Sequence, residues 1–560
     1  MTKINLVALG GVRENGKNMY AIEVDDQIFV VDFGLKYPDN ELLGIDIVIP
    51  DLTYLEENAD RIAGIFLTHG HADAIGALPY FLNTHPVPVF GSELTIALAK
   101  LATATDPQAK KFKDFHVIDE KSVIDFDSVS VSFFRTTHSI PGSLGIDIQT
   151  QAGQVIYTGD FKFDQSARPM YRTDLARLAR IGEQRVLALL SDSANAESPY
   201  TNASEREIYA KIKETFKYHP GRIIVAGVAS NIERIQQVLD AAAANDRRVV
   251  LTGRDVQKIV KTAIKMKYIK LPNSDILATT KDIKELAPEQ TVILETGRMG
   301  EPLKSLQRMA TSKHRLIHIH EGDLVFITTS ISHAMETMAA KTKDLIYRAG
   351  GEVKSISDTL HASGHANKQD LQLLLNLLRP RYVVPVIGEY RLLAAHAEIA
   401  HEVGIPYSHI FIPGLGDILS IEKGKMHNAG HVDAGNTMID GIGVGDIGNI
   451  VLRDRKMLAE DGIFIAVVTI DRKKKKVVAH PKIQSRGFVY MKTSKDLLQE
   501  SAKLVTESVQ KNLDHKEFDW STLKQAVRDD LSHFLFDQTK RRPVILPVIM
   551  EVNQNSAKRQ

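Results

Sequence analysis

An α/β protein of several domains is the fold class this sequence predicts, and three features predict it. Through the first two hundred residues, short β-branched apolar runs end in Gly or polar residues, as strands feeding loops do. Near Thr201 the pattern changes to alternating helix and strand signals, and near residue 358 the earlier style returns. The last hundred residues combine strand runs with two long helix patterns, an α+β signature. At 560 residues, and roughly 150 per domain, three or four domains fit.

Taken in order, the apolar runs Ile28–Asp32, Gly64–Thr68, Val131–Phe134 and Val155–Tyr157 are predicted strands. Ile75–Leu82 is a predicted helix that Asp73 could cap. Then come a helix over Glu205–Phe216, a strand over Ile223–Ala226, a helix over Asn231–Ala244 and a strand over Val249–Thr252. Such βα alternation suits a parallel sheet covered by helices. A helix over Lys368–Leu378 and a strand over Tyr382–Val386 follow a Gly-containing turn. The Gly-rich stretch Gly430–Gly448 reads as a linker or an inter-domain wrap. Beyond it the pattern predicts strands Ile463–Ile470, Lys476–Ala479 and Val544–Met550, with helices near 495–512 and 521–535.

Composition narrows the chemistry. The chain is 43% hydrophobic and 25% charged, which is ordinary for a globular protein. Its 70 basic and 69 acidic residues leave a net charge of +1, so any nucleic-acid contact must come from local patches. There is no cysteine, which excludes disulfides and thiolate sites and leaves His, Asp and Glu as metal ligands. The N-terminus lacks a secretory pattern, and no apolar run approaches the ~18 residues needed to span a bilayer. A soluble cytoplasmic protein without membrane contact is the expectation.

The strongest chemical signal is Thr68-His69-Gly70-His71-Ala72-Asp73-Ala74, directly after a predicted strand. Two histidines and an aspartate at alternate positions of a tight loop can converge on one cation. His138 in TTHSIPGSLG and Asp160 in YTGDFKFD each follow a strand as well. Three such motifs in this order are far more specific than one. The order resembles the metallo-β-lactamase superfamily, as does GGVRENGKNMYAIEV followed by Phe29–Gly34. There Asp32 would orient the histidine loop without being a ligand, the plain alternative being a turn carboxylate before Gly34. Ser191-Asp192-Ser193, His361-Ala362-Ser363-Gly364-His365-Ala366 and Pro385-Val386-Ile387-Gly388-Glu389-Tyr390-Arg391 resemble motifs A, B and C of the β-CASP nucleases, in wording most like ribonuclease J.

That resemblance covers nearly the whole chain. It implies a metallo-β-lactamase αββα sandwich with an inserted β-CASP α/β domain and a small α+β C-terminal domain. The corresponding boundaries are 1–203 and 356–425 for the sandwich, 204–355 for the insert, 426–450 for the linker and 451–560 for the C-terminal domain, which resembles a dimerisation module. In the family pattern a first metal takes three histidines and a bridging aspartate, which map onto His69, His71, His138 and Asp160. A second takes the loop aspartate, the bridging aspartate and two further histidines. Asp73 and Asp160 stand at the first two positions, but Ala74 and Ile387 replace both histidines, and neither can coordinate. The expectation is Zn²⁺ or Mn²⁺ at the first site, and at the second a weakly held Mg²⁺ or Mn²⁺, or no ion. The damaged pattern resembles the second of two paralogues found beside a fully liganded first.

The resemblance also implies that Asp192 orients His365 to protonate the leaving group; the plain alternative is a buried Asp–His hydrogen bond. His361, Ala362, Ser363, Gly364 and His365 would hold an RNA phosphate, including that of a 5′-monophosphorylated end. Ser230 and Asn231 resemble a second phosphate contact, though a helix cap fits them nearly as well. Glu233 and Gly142 depart from the residues usual in active relatives. Gly44, Asp46 and Asp440 resemble a structural calcium site. Arg472–Lys476 and Lys540–Arg542 are basic runs that fit solvated turns better than RNA contacts. The implied activity is 5′-to-3′ exonuclease, with endonuclease cleavage as a second mode, in rRNA maturation and mRNA decay on 5′-monophosphorylated or single-stranded RNA. Weak intrinsic turnover is expected. The competing expectation is an inactive RNA-binding subunit that stabilises a fully liganded paralogue, as part of a homodimer or a mixed oligomer.

Overall fold

Alternation along the strands builds the first layer pair. In the computed structural model, which describes residues 2–38, 42–296, 302–328, 335–441, 443–490, 493–515 and 518–552, the chain forms two compact units. One is Met1–Tyr37 with Ile47–Thr437 and the other is Pro38–Asp46 with Met438–Gln560.

In the first unit an eight-stranded sheet runs in the order Lys425–His431, Asp417–Glu422, Ile4–Gly10, Met19–Val24, Gln27–Val31, Ile62–Phe66, Val89–Gly91, Phe115–Val117. A six-stranded sheet faces it, in the order Tyr382–Val386, Val186–Asp192, Gly153–Tyr157, Leu144–Thr150, Val129–Arg135, Val123–Phe126. Phe133, Tyr157, Leu190 and Val384 point into the core between the sheets, against Leu6, Ile22, Phe29 and Phe66. Their chain neighbours Phe134, Ile156, Leu189 and Val383 point the other way, onto the helices Leu175–Gly182, Lys368–Leu378 and Tyr390–Glu402. A period of two with both faces apolar is what a sheet buried on both sides requires.

The middle of the chain forms a separate six-stranded sheet, Leu277–Ala278, Arg248–Thr252, Thr291–Glu295, Ile223–Ala226, Leu324–Ile327, Glu352–Ser355, parallel throughout. Its helices Glu205–Tyr218 and Ile232–Ala243 start at Ser204 and Asn231, whose side chains accept from first-turn amides. The second unit carries the sheet Lys476–Arg486, Ile463–Asp471, Val544–Glu551. Phe464, Ala466, Val468 and Ile470 pack on Val505 and Val509 of Lys495–Asp514 and on Leu523, Val527, Leu531 and Leu535 of Trp520–Thr539. The i+4 spacing of the last four gives that helix one apolar stripe.

The expected helix Ile75–Leu82 is instead two short ones, Ala72–Ile75 and Leu78–Leu82. Pro79 has no N–H to give to the carbonyl four residues back, so the helix breaks there. His71 is the N-cap of the first and makes no side-chain cap bond, and Asp73 lies in its first turn, so Asp73 does not cap it. The stretch 426–450 is not the linker expected of it. It contains most of the strand Lys425–His431, together with Asn436–Asp440 and Gly443–Val444, and the helix Asn449–Glu460 begins at its end. The hairpin into Lys425–His431 turns on Lys423 and Gly424, with φ of 51° and 75°, a two-residue turn that glycine makes easy. The strand Lys476–Arg486 runs on through Pro481, which an edge strand tolerates because one row of its N–H groups is unpaired.

Candidate metal centre and nucleic-acid site

Strand ends assemble the site. The loop after Ile62–Phe66 carries His69 and His71, and the loop after Val129–Arg135 carries His138. The turn after Gly153–Tyr157 carries Asp160, and Asp192 is the last residue of Val186–Asp192. Two glycines allow the close approaches. A Cβ on Gly159, which has φ +57°, would lie 2.7 Å from Thr68, and one on Gly364 would lie 2.9 Å from the His138 ring.

His69, His71, His138 and Asp160 each bring a ligand atom to within 4.8 Å of the others. The far nitrogen of each imidazole is held. His69 Nδ1 lies 2.9 Å from Thr68 Oγ1, whose own proton goes to the Asp32 carboxylate at 2.9 Å. That hydroxyl therefore accepts from Nδ1–H. His138 Nδ1 lies 2.9 Å from the Gly364 carbonyl, which can only accept. His71 Nε2 lies 3.2 Å from Ser139 Oγ. The Thr68 hydroxyl and the Gly364 carbonyl fix two of the tautomers and leave His69 Nε2 and His138 Nε2 as bare lone pairs, with His71 Nδ1 3.2 Å from the latter.

Asp160 Oδ2 lies 3.6 Å from both His69 Nε2 and His138 Nε2. Asp160 Oδ1 and His69 Nε2 are buried and have no hydrogen-bond partner. Burial pushes His69 and His138 well below the usual imidazole range and Asp160 well above the carboxylate range. Neutral lone pairs packed together around an orphaned carboxylate repel one another unless a cation sits among them. This donor set of three imidazoles and one carboxylate fits a divalent transition metal.

Asp32 Oδ1 accepts from the Thr68 amide at 2.8 Å and Oδ2 from the Tyr157 hydroxyl at 2.8 Å. Burial raises it to about 7, against the opposing pull of those bonds.

The second position is different. Asp73 Oδ1 is 3.8 Å from His69 Nε2, and Asp73 belongs to neither of the clusters that could hold a metal among the described residues. Ala74 and Ile387 are buried, and Ile387 belongs to the core between the sheets. These residues do not fit a second imidazole-bound ion. Ile387 also has φ +56°, an outlier for a β-branched residue. Its amide donates to the Gly11 carbonyl at 2.7 Å and its carbonyl accepts from Ser193 at 3.2 Å, so bonds on both sides hold the strained loop.

His365 Nδ1 meets Asp192 Oδ2 at 2.8 Å, and with Asp160 the pair forms the other cluster. Asp192 is itself fixed by the amides of Phe161 at 3.3 Å and Ala194 at 2.8 Å. Burial alone would lower His365, but the surrounding carboxylates, Asp192 foremost, carry it up to about 10. In the turn before it, Ser363 Oγ accepts from the His365 amide at 3.1 Å. His361 Nε2 is held by Ser198 and Asn195 at 3.1 and 3.3 Å, and Ala362 is buried beside it.

Two predicted contacts are placed otherwise. Asn231 Oδ1 caps its own helix by accepting from Arg234 at 2.8 Å. The amides of Ile232 and Glu233 donate to Ser230 and Ser139, so this helix start has spent its first donors internally and does not present them to phosphate. Glu233 is buried against Arg168 at 3.3 Å. At the expected calcium position, Asp440 pairs with Arg455 Nη2 at 2.5 Å while Arg455 Nη1 donates to the Leu43 carbonyl at 2.9 Å. A Cβ on Gly44 would lie 2.6 Å from that guanidinium, and Asp46 Oδ2 accepts from the Gly441 amide at 3.1 Å. A side-chain cation already supplies the positive charge there, which corrects the calcium reading.

Of the basic runs, Arg541 is structural, bonding Asp461 and the Phe488 carbonyl. Arg472 pairs with Glu551 at 3.5 Å and Lys474 with Asp471 at 3.8 Å, while Lys473, Lys475 and Lys476 are exposed. Sequence reasoning missed Thr68, Ser139 and Arg455. The first two flank predicted ligands in Thr68-His69 and His138-Ser139, which was an available signal.

Comparison with known proteins agrees with this geometry. Family models match for the metallo-β-lactamase superfamily over residues 12–252 and the ribonuclease J β-CASP domain over 220–342. They also match for the Zn-dependent metallo-hydrolase RNA specificity domain over 351–413 and the ribonuclease J C-terminal domain over 450–552. Ribonuclease J 2 of Streptococcus pyogenes serotype M3 is 56% identical, covering 99% of this chain and 100% of that protein. Ribonuclease J2 of Bacillus subtilis strain 168 is 46% identical, over 98% and 99%. A solved protein of unknown function from Enterococcus faecalis V583 shares the fold, with TM-score 0.53 and 16% identity over 75% of this chain and 100% of that one. With family models matching along its length and relatives of this similarity matched end to end, the chain belongs to the ribonuclease J family.

Proposed function

We propose that this chain is a ribonuclease J-type RNA hydrolase with one well-built cation site and low intrinsic turnover. It would work as a 5′-to-3′ exonuclease, with endonuclease cleavage as a second mode, in rRNA maturation and mRNA decay. The carrying observation is the contrast between the two positions. One gathers three imidazoles and an orphaned carboxylate, and the other presents the hydrocarbon of Ala74 and Ile387.

His69, His71, His138 and Asp160 would hold Zn²⁺ or Mn²⁺. Asp73 and Asp160 leave at most a weak oxygen-ligand position for Mg²⁺ or Mn²⁺. When bound, a divalent cation supplies Lewis acidity that activates water and polarises a phosphoryl oxygen. The chain's own residues do the rest. The turn 361–365 binds a backbone phosphate or a 5′-monophosphate, with Ser363 and Gly364 offering amides and Gly364 also anchoring His138. As the water oxygen bonds to phosphorus and the phosphorus–oxygen bond to the leaving nucleoside breaks, His365 gives its proton to the departing oxygen. Asp192 keeps the ring aimed and charged for that step. The domain assignment goes with this reading: 1–203 supplies the cation ligands, 356–425 the phosphate turn and His365, 204–355 is the β-CASP insert, and 451–560 dimerises.

A second reading has an observation of its own. Ile387 and Ala74 are packed into the core, so the protein folds around a disabled second position. That suits a subunit whose main work is to bind RNA and stabilise a fully liganded paralogue in a mixed oligomer. Among the described residues, no helix is long and apolar enough to cross a membrane.

Elemental analysis of the purified chain, with turnover on 5′-monophosphorylated RNA alone and beside a fully liganded relative, tests the proposal. About one ion per chain and slow, His69-dependent cleavage are expected. Turnover equal to that of the liganded relative would refute the low-activity reading, and none at all would favour the subunit.

A further inference from the structure

His71 differs from the other two imidazoles in where its outer nitrogen goes. The partners of His69 and His138 are Thr68 and the Gly364 carbonyl, both within the two-sheet part of the chain. His71 Nε2 faces Ser139 Oγ at 3.2 Å. Ser139 in turn reaches the separate parallel sheet, because the Glu233 amide, in the first turn of the helix Ile232–Ala243, donates to the Ser139 carbonyl at 3.3 Å. Ser139 therefore touches both the ligand and the helix start, and it directly follows His138.

We propose that Ser139 is a clasp between His71 and this helix that links occupancy of the cation site to seating of the parallel-sheet domain. The physical reason is that the outer nitrogen must keep its proton for Nδ1 to keep its lone pair, and the Ser139 hydroxyl, seated by the helix, holds that proton. When the domain lifts, Ser139 loses its helix partner, the tautomer and ring angle of His71 are no longer fixed, and its hold on a cation weakens. Linkage makes the effect mutual, so a cation on Nδ1 tightens the clasp and favours the seated domain. Ser139 is a positioning residue in this account, acting through His71.

The inference rests on the metal reading above, and one experiment separates the two. Hydrogen exchange of the full chain is followed in metal-free protein and after loading with Zn²⁺, with bound zinc counted on the same samples. Loading is expected to slow exchange of the Ile232–Ile235 amides several-fold, an effect that Ser139→Ala diminishes and Ser139→Thr retains. Ser139→Ala is also expected to lose zinc to a competing chelator about 10-fold more readily, the lower end of what second-layer changes cost. If the chain binds zinc and these amides exchange at an unchanged rate, the clasp is wrong and the metal reading stands. If the chain takes up no zinc, both fall. The wild-type comparison decides the matter even if Ser139→Ala folds poorly.

Discussion

Restoring both missing imidazoles, Ala74→His with Ile387→His, is the sharpest perturbation of the second position. The structure sets its magnitude. Ile387 sits at φ +56°, where an L-residue pays about 1–2 kcal/mol and where histidine is better tolerated. Against that relief, its nearly complete burial contributes about 2 kcal/mol, part of which an imidazole of similar size forfeits. Those two effects nearly cancel. Ala74 is fully buried, and adding a ring there overpacks the site by about 1–3 kcal/mol. The metal-free double variant is therefore expected to be about 1–3 kcal/mol less stable than the parent. A second ion held at a thousandfold excess over its Kd returns about 4 kcal/mol, enough to reverse the deficit. Urea unfolding with and without Mn²⁺, and metal counts after dialysis, provide the assay. The parent should hold about one ion and the variant about two, with a larger Mn²⁺-dependent gain in midpoint and faster RNA cleavage. Two fully occupied ions in the parent, or a variant that gains neither ion nor stability, would refute the coordination argument.

Three further outcomes follow from other parts of the molecule. His365→Ala should slow single-turnover cleavage by about 10²–10⁴, the range for a positioned proton donor, while leaving the zinc count unchanged. His396, buried with Nδ1 2.9 Å from Ser193 Oγ, is lowered by desolvation to about 4. The native state thus binds its proton less readily than the unfolded chain, and stability present above pH 6.5 is lost as pH falls toward 4, by at most about 3 kcal/mol. A His396→Gln variant should show a flatter urea-midpoint profile over that window. Lys162, 1% exposed and 2.8 Å from Glu205, is held in a buried network with Arg234. Lys162→Ala should cost up to about 3 kcal/mol by urea unfolding, the low end of about 3–5 kcal/mol for breaking a buried pair, because Arg234 at 3.6 Å still partly compensates Glu205.

Local chemistry made much of this protein legible from its sequence. Lys368–Leu378 and Tyr382–Val386 begin and end where their patterns predict, because an Asn367–Asp370 capping box and an apolar β-branched run are short-range signals. The candidate ligands were readable for the same reason, since coordination needs particular atoms on particular loops. The loss at 74 and 387 came from the resemblance, whose pattern has histidines at those positions, together with the fact that Ala and Ile carry no lone pair. Three-dimensional placement decided the rest. Nothing local distinguishes Asn231 as a phosphate contact from Asn231 as a helix cap until its partner, the Arg234 amide, is seen. Arg455 lies far along the chain from Leu43, so its arrival at the supposed calcium position is a product of folding alone. The bond from the Glu233 amide to the Ser139 carbonyl joins residues far apart in the chain through backbone groups that every non-proline residue has and no sequence pattern can mark.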